Sequence, residues 1–296
     1  FIVLTSIDKG TTYTKTENIF FKSTRKKYSK DEIDFSQNKI LVQYKNKTYV
    51  VGEKGKTNTD LFKSYHEETK MLILTAIALS SPYDARIKTN LTTGLPLGRY
   101  GAEKNNMKNL FQNTKEKIIV NNQSYYIQID GAEIFPEGAS SFYIINKDEG
   151  LIIDIGGLSI DIALFENNKT LTKYSTHKLG IMPLYRQIAN KINNKYSLAL
   201  DEWDIEDKIK NGLFINGRKV NIGADDIINK YVQKILQSIN FEYDLPVIKN
   251  IFLTGGGGCF LYPYIQKQIP RTKLIPNSQY TNVNTYAMLG EVLFNE

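Results

Sequence analysis

One glycine turn occurs twice in this chain, each time directly after an apolar strand. Residues 7–15 read IDKGTTYTK and residues 153–161 read IDIGGLSID. Both fit Asp-x-Gly-x-x-x-x-(Lys or Asp): Asp8, Gly10 and Lys15 in the first copy, Asp154, Gly156 and Asp161 in the second. A third glycine turn, IFLTGGGG at 251–258, also follows an apolar run. Two matching phosphate-type loops and a later glycine-rich turn imply a duplicated α/β fold that grips one nucleotide between its halves.

The chain has 296 residues, enough for two domains with cores of their own. It is 41% hydrophobic and 23% charged, which excludes extensive disorder. The single cysteine, Cys259, excludes an internal disulfide and a cysteine-built zinc site, and fits the reducing cytoplasm expected for this chain. The opening FIVLT is too short for a signal-peptide core, and no apolar run approaches a membrane span, so no membrane partner is expected. The net charge of +7 reads either as simple solubility or as suiting an anionic partner such as ATP or a DNA-bound complex. Most lysines are scattered. The one dense basic cluster, KSTRKKYSK at 22–30, reads as a solvated hairpin tip, and direct DNA binding is not expected.

Periodicity and turn residues give the order of elements. Strands are expected at 1–7, 40–44 and 48–51, the last two joined through Lys45-Asn46-Lys47. A helix follows at 67–80, a strand at 87–94, and a polar surface helix at 102–113. Strands at 118–120 and 125–129 pair across Asn121-Asn122, and Pro136-Glu137-Gly138 opens a short helix. The pattern restarts at Gly150 with a strand, a hairpin around Asn167-Asn168, and a long helix after Gly180. Helices at 201–210 and 224–243 flank a hairpin at Asn216-Gly217. A strand at 248–254 feeds the four glycines and a helix at 260–268, and a helix at 283–294 closes the chain.

A glycine after a strand permits close backbone approach, and consecutive N–H groups in such a turn cradle phosphate oxygens. Gly10, Thr11 and Thr12 form one candidate cradle; Gly156, Gly157, Leu158 and Ser159 form the other. Lys15 is a candidate to neutralise a phosphate. Asp8 and Asp154, at strand ends, are candidate Mg²⁺ holders, because Mg²⁺ is typically bound by one or two carboxylates plus phosphate. Taken singly, each turn reads equally as a local turn former, and the four glycines could instead serve tight strand–helix packing. The repeat and the glycine run favour nucleotide contact.

Together these features resemble the actin–Hsp70–sugar kinase superfamily, and more narrowly the ParM-like bacterial actins. The narrower resemblance rests on GLIIDIGGLSIDIALF at 150–165, TTGLPLGRY at 92–100, FPEGASSFY at 135–143, LTGGGGCFLYPYIQK at 253–267 and PNSQYTNVNTYAMLG at 276–290. The resemblance implies a duplicated, ribonuclease H-like two-domain fold, each domain on a five-stranded sheet, with the nucleotide in the interdomain cleft. Domain I would span 1–147 and domain II 148–280, with 281–296 a helix returning toward domain I. Residues 7–15 and 153–161 would be the two phosphate loops, and Gly255, Gly256 and Gly257 would lie in the adenosine loop. Glu137 and Asp154 would position the attacking water. Asp207 and Lys210, in IEDKIKNG at 205–212, resemble the acid and lysine that grip adenosine; the other reading is a solvated i,i+3 ion pair. Lys9 departs from the family, which has a small or neutral residue there.

The expected function is an ATPase that polymerises on binding ATP with Mg²⁺ and carries ADP after hydrolysis, GTP being the other nucleotide the pattern admits. Its expected partners are its own subunits and a DNA-binding adaptor on a plasmid centromere. The alternatives are a small-molecule kinase of the same fold with Asp161 as its acceptor-side base, a chaperone-like ATPase, a non-hydrolysing scaffold, and a filament outside plasmid partition.

Overall fold

The structure, a computed structural model, describes residues 2–29, 39–58 and 60–294. Phe1 of the first expected strand and Lys30 of the basic cluster lie outside the described residues. The chain divides into two compact units, Phe1–Asn146 with Gln279–Glu296, and Lys147–Ser278.

Unit 2 is built on β9 (Gly150–Ile155), β10 (Ile160–Glu166), β11 (Thr170–His177), β14 (Ile251–Thr254) and β15 (Thr272–Leu274). The order is β11-β10-β9-β14-β15. The two hairpin neighbours are antiparallel, whereas β14 runs parallel to β9 and to β15. Every residue of β9 is buried, as its unbroken apolar run requires of a strand covered on both faces. Helices α3 (Ile181–Tyr196), α5 (Asp225–Glu242) and α6 (Gly256–Gln268) bury Leu184, Ile188, Val232, Ile235 and Leu261 in the same core as Ile153 and Leu253. Helix α4 (Glu202–Asn211) and the hairpin β12 (Leu213–Ile215) with β13 (Arg218–Val220) complete the unit.

Unit 1 carries the same plan. Its strands are β1 (Val3–Lys9), β2 (Tyr13–Lys15), β3 (Phe20–Lys27), β4 (Ile40–Tyr44), β5 (Lys47–Gly52), β6 (Arg86–Leu95), β7 (Thr114–Val120) and β8 (Gln123–Pro136). The run β3-β2-β1-β6-β8 repeats the order and directions of the five strands of unit 2. The register repeats as well. Asp8 lies opposite Lys15, and Asp154 lies opposite Asp161. The expected five-stranded sheet is nevertheless not the whole of unit 1. Strands β5, β4 and β7 bridge from β3 to β8 and close an eight-stranded ring, which leaves no open edge there. Asn46, Asn121 and Asn122 hold the left-handed turns that make these hairpins tight.

Helix α1 (Glu67–Ser80) is buried from Glu68 to Ala78 on every side, so its apolar residues do not form a single stripe. Helix α2 begins at Leu97 rather than at 102 and runs to Phe111, burying Leu97, Met107 and Phe111 together with Glu103, which accepts from Ser64 N at 2.9 Å and Ser64 Oγ at 2.6 Å. The basic cluster is no hairpin tip. Residues 22–27 lie within β3, paired to β5, and Arg25 is held by the buried Glu68 at 3.0 Å. Strand β14 begins at Ile251, because Arg271 anchors the preceding turn through Nε to the carbonyl of Ile248 at 2.8 Å. Pro136 ends β8 instead of opening a helix; the short helical turn begins at Ala139.

Helix α7 (Thr281–Phe294) packs on unit 1. Its Tyr286 is fully buried and stacks on Phe135 with ring centroids 5.7 Å apart. A methyl group on Gly94 would lie 2.0 Å from the Tyr286 hydroxyl and 2.6 Å from its ring. Gly94→Ala is therefore expected to displace α7 and lower stability by about 1–3 kcal/mol. Chemical denaturation measures this, and an unchanged midpoint would refute the packing.

Candidate functional site

In unit 1 the first glycine turn leaves β1 at Asp8, which is buried. Lys15 Nζ lies 3.4 Å from Asp8 Oδ2 and donates to the carbonyl of Gln279 at 2.8 Å. The turn is tied down through its carbonyls. Gly10 O accepts from Ser23 Oγ at 2.7 Å, Thr11 O from Thr57 Oγ1 at 3.0 Å, and Thr12 O from Ser23 N at 2.8 Å. Gly10 N donates to Tyr13 O at 3.0 Å, so with those carbonyls occupied the polarity left for an anion is that of the N–H groups after Gly10. Thr12 Oγ1 is shut away from water and has no hydrogen-bond partner. Buried hydroxyls are ordinarily paired, so this atom fits a ligand oxygen.

Glu137 sits between the last residue of β8 and Gly138, whose φ of 71° turns the chain sharply. Its N–H donates to Leu95 O at 2.8 Å, and Asn282 Oδ1 on α7 accepts from Gly138 N at 3.1 Å. The carboxylate is buried, which is costly unless a cation answers it. That cation is Lys63, whose ammonium is ion-paired with Glu137 and donates to the carbonyl of Lys9 at 2.7 Å. No sequence pattern distinguishes Lys63, a lone lysine in LFKSY ahead of α1.

Lys9, the residue that departs from the family, points into the same interior and is only 2% exposed. Burial, reinforced by the neighbouring Lys63 charge, lowers its pKa to about 8. Glu68, Glu137 and Asp60 offset part of that.

In unit 2 the second turn leaves β9 at Asp154, again buried. Here the carbonyls of Gly156, Gly157 and Leu158 accept from the N–H groups of Ile181, Met182 and Gly180. The loop thereby satisfies the first amides of α3, which would otherwise lack partners. Gly156 N donates to Ser159 O at 2.9 Å. Asp161 accepts from Thr176 Oγ1 across the β10–β11 hairpin, so it is committed to the sheet rather than set apart as a base.

The third turn touches the second. A Cβ on Gly255, where φ is 84°, would meet Asp154 Oδ1 at 2.3 Å. The helix begins at Gly256, so Gly256 and Gly257 form its first turn rather than a free loop. A Cβ on Gly257 would meet Ile155 at 2.7 Å, which excludes a side chain, and one on Gly258 would be tight against Leu253 at 3.2 Å. Close strand–helix packing, set second to nucleotide contact in the sequence, is thus a sufficient reason for glycine at 257 and favours it at 258. Asp207 bonds Lys208 at 3.0 Å and Asn211 at 2.6 Å, and Lys210 is exposed. Lys208, with Gly212, Phe260 and Tyr264, lines a cavity of about 540 Å³ in unit 2.

Among the described residues no three His, Cys, Asp or Glu side chains cluster to hold a metal, and no helix is long and apolar enough to cross a membrane.

Two outcomes follow from this geometry. A methyl on Gly180 would meet the carbonyl oxygen of Gly157 at 2.4 Å, so Gly180→Ala is expected to displace the loop at 156–158 and cost about 1–3 kcal/mol on thermal unfolding. Lys9 binds its proton less tightly when folded, about 8 against an ordinary 10.5. Below pH 8 it is charged in both states and its full burial penalty stands; between 8 and 10.5 stability rises as the folded chain sheds the proton first. Lys9→Met is therefore expected to stabilise the chain by about 3 kcal/mol at pH 7, and the gap to wild type to close by pH 10.5. Urea denaturation of the two proteins across that range checks the sign.

Two family models match successive halves of the chain. "Actin like proteins N terminal domain" matches residues 6–139, and "Archaeal actin homologue MreB-like, C-terminal" matches residues 152–267. Comparison with curated protein sequences gives no match. Among solved structures, the ParM of a 15-stranded filament from Clostridium botulinum superposes with a TM-score of 0.80 at 20% identity, covering 98% of this chain and 99% of that one. The archaeal actin homologue Ta0583 in complex with ADP superposes at 0.81 and 15% identity, covering 98% and 100%. The Alp12 filament protein superposes at 0.70 and 19%, covering 98% of each chain. With both halves matched and the strand order duplicated between units, the chain belongs to the actin-like proteins and has their two-domain fold.

Proposed function

We propose that this chain is an ATPase that assembles into filaments on binding ATP, with an adaptor-linked role in moving plasmid DNA. The observation that carries the reading is the duplicated phosphate turn. Each unit places a buried aspartate, Asp8 or Asp154, at the end of its central strand, with a carbonyl-anchored glycine turn directly after it. The orphaned Thr12 hydroxyl supports a ligand at the first turn. That Ta0583 was solved with ADP, and that the ParM and Alp12 relatives were solved as filaments, supports carrying nucleotide and self-association over to this chain.

In this reading Gly10–Thr12 and Gly156–Ser159 bind phosphate oxygens, and Asp8 and Asp154 hold Mg²⁺, directly or through water. The ion would neutralise charge on the β- and γ-phosphates. Glu137 and Asp154 orient the attacking water, which a loose phosphoryl-transfer transition state needs more than a strong base. Lys15, held between Asp8 and the Gln279 carbonyl, fixes the first aspartate as well as adding positive charge. Gly255–Gly257, and on α4 Asp207 and Lys210, serve the adenosine end. A kinase reading loses ground because Asp161 is already engaged by Thr176. The protein acts in the cytoplasm, with other copies of itself and a DNA-binding adaptor as partners.

Light scattering recorded with phosphate release, across protein concentrations in Mg-ATP, tests this. A threshold concentration, with scattering that decays as phosphate accumulates, is expected; turnover without a threshold would overturn the filament. Asp154→Ala should slow phosphate release on the order of 10²-fold or more. Glu137→Gln should slow hydrolysis, retain nucleotide and prolong the scattering signal; loss of nucleotide binding would assign Glu137 a structural role instead.

A further inference from the structure

The sheet of unit 1 gathers cations that the sequence scatters. Strands β6, β8 and β7 lie side by side, and their registers fix which side chains are neighbours. One row across them is Arg86, Tyr126, Lys117, and the next is Lys88, Gln128, Lys115. All six share the outward face, because the alternate residues Ile87, Ile127 and Ile118 are buried on the other. The four cations are exposed, Tyr126 is 52% exposed, and the six residues line a cavity of about 360 Å³. Strand geometry sets the two cationic columns about 10 Å apart and the two rows about 7 Å apart. The face does not balance its own charge. Asp130, next on β8, is taken up by Lys88 at 3.1 Å and by Gln128 Nε2 at 2.7 Å. Glu116 is on the opposite face, ion-paired with Lys70 and accepting from Tyr44. Glu133, farther along β8, is held by Lys104 and Lys108 of α2. Arg86, Lys115 and Lys117 form no ion pair among the described residues, and counting the exposed Asp84 ahead of β6 still leaves the face with two positive charges in excess.

Two cationic walls thus flank a floor made of an aromatic ring and an amide. Lys117 Nζ lies 5.5 Å from the Tyr126 ring centroid, so positive charge and the π face adjoin. An acidic peptide would use the walls and leave the ring idle. So would a duplex, whose bases are stacked inside it. A single strand uses both: its phosphates meet the cations and an unstacked base lies on the ring. We infer that this face of unit 1 binds single-stranded nucleic acid, a stretch of about two or three nucleotides, with little preference for sequence. The sequence gives no sign of it, because the dense basic run at 22–30 lies on β3, whereas these cations come from separate segments and meet only through strand pairing. The face shares no residue with the glycine turns and does not rest on the ATPase reading.

The test is fluorescence anisotropy of short fluorescein-labelled strands, DNA and RNA of one mixed sequence, titrated with the full chain without ATP over a range of salt. The tighter of the two names the source. Three phosphates neutralised by Arg86, Lys115 and Lys117 should give a slope of log affinity against log salt of about −2. Lys115→Gln combined with Lys117→Gln should flatten that slope to about −0.7. Tyr126→Ala should weaken binding about fivefold or more and leave the slope unchanged, the signature of lost stacking rather than lost charge. The same sequence as a duplex should bind more weakly and ignore Tyr126→Ala. Lys27→Gln combined with Lys56→Gln, in the other basic cavity of unit 1, should change nothing. All these side chains are exposed, and an unchanged thermal midpoint establishes that each variant folds. The inference is overturned if no strand binds, or if the control pair abolishes binding while substitutions on this face do not. It is equally overturned if Tyr126→Ala has no effect, if the duplex binds as tightly as the single strand, or if polyglutamate competes as well as an unlabelled strand.

Discussion

A strand bonded on both sides and covered on both faces can offer functional groups only at its ends, and this constraint governs β9 at the centre of unit 2. Strands β1 and β9 each lie between an antiparallel and a parallel neighbour, and β9 is buried along its whole length. In β9 the side chains serve the core until the chain turns; β1 is buried only over Ile7–Lys9, and in both strands the aspartate, Asp154 or Asp8, stands at the buried end. The turn that follows must be compact and braced, with its first glycine N–H spent inside it, on Tyr13 O in unit 1 and on Ser159 O in unit 2. Both units meet that need in the same way, by tying the turn's carbonyls to neighbouring protein groups. In unit 1 those groups are Ser23 and Thr57; in unit 2 they are the opening amides of α3. The chemistry of the solution repeats while its parts differ.

Much of this was legible in the sequence because it depends on local rules. The glycine turns, the Asn-Gly and Asn-Asn hairpins and the long amphipathic helices α3 and α5 follow from backbone freedom and periodicity. The duplication showed as a repeated motif because the register, and not only the order, of β1–β2 and β9–β10 is shared. What the sequence hid is set by tertiary contacts. The closure of unit 1 depends on β3 pairing with β5 and β4 with β7, and no local signal reports which edges meet. The start of α6 at Gly256 escaped notice because helix propensity argues against glycine, whereas packing against Ile155, Ile181 and Leu253 favours it.

The charged interior of unit 1 illustrates the same limit. Lys63 has no motif, and only the fold brings it beside Glu137, far along the chain. Lys9 was visible as an oddity but not as a buried one. A lysine at a strand end is ordinarily solvated, and only the approach of Lys63, Glu68 and Asp60 encloses it. At Asp207 the spacing permits a pair with Lys210, while Lys208 and Asn211 bond the same carboxylate. Spacing states which contacts are allowed, and competition among neighbours decides which form.

The close contact between Gly255 and Asp154 ties together two parts that the sequence presents as separate motifs. No side chain fits at 255 without displacing Asp154, and φ there suits glycine alone among unstrained residues. Helix α6 therefore cannot shift along unit 2 without moving the aspartate at the end of β9. A ligand that presses on the first turn of α6 and a ligand that draws on Asp154 act on one mechanical element. In unit 1 the carboxylate at the end of β8, Glu137, is tied ionically, by Lys63, whereas the tie on Asp154 in unit 2 is steric.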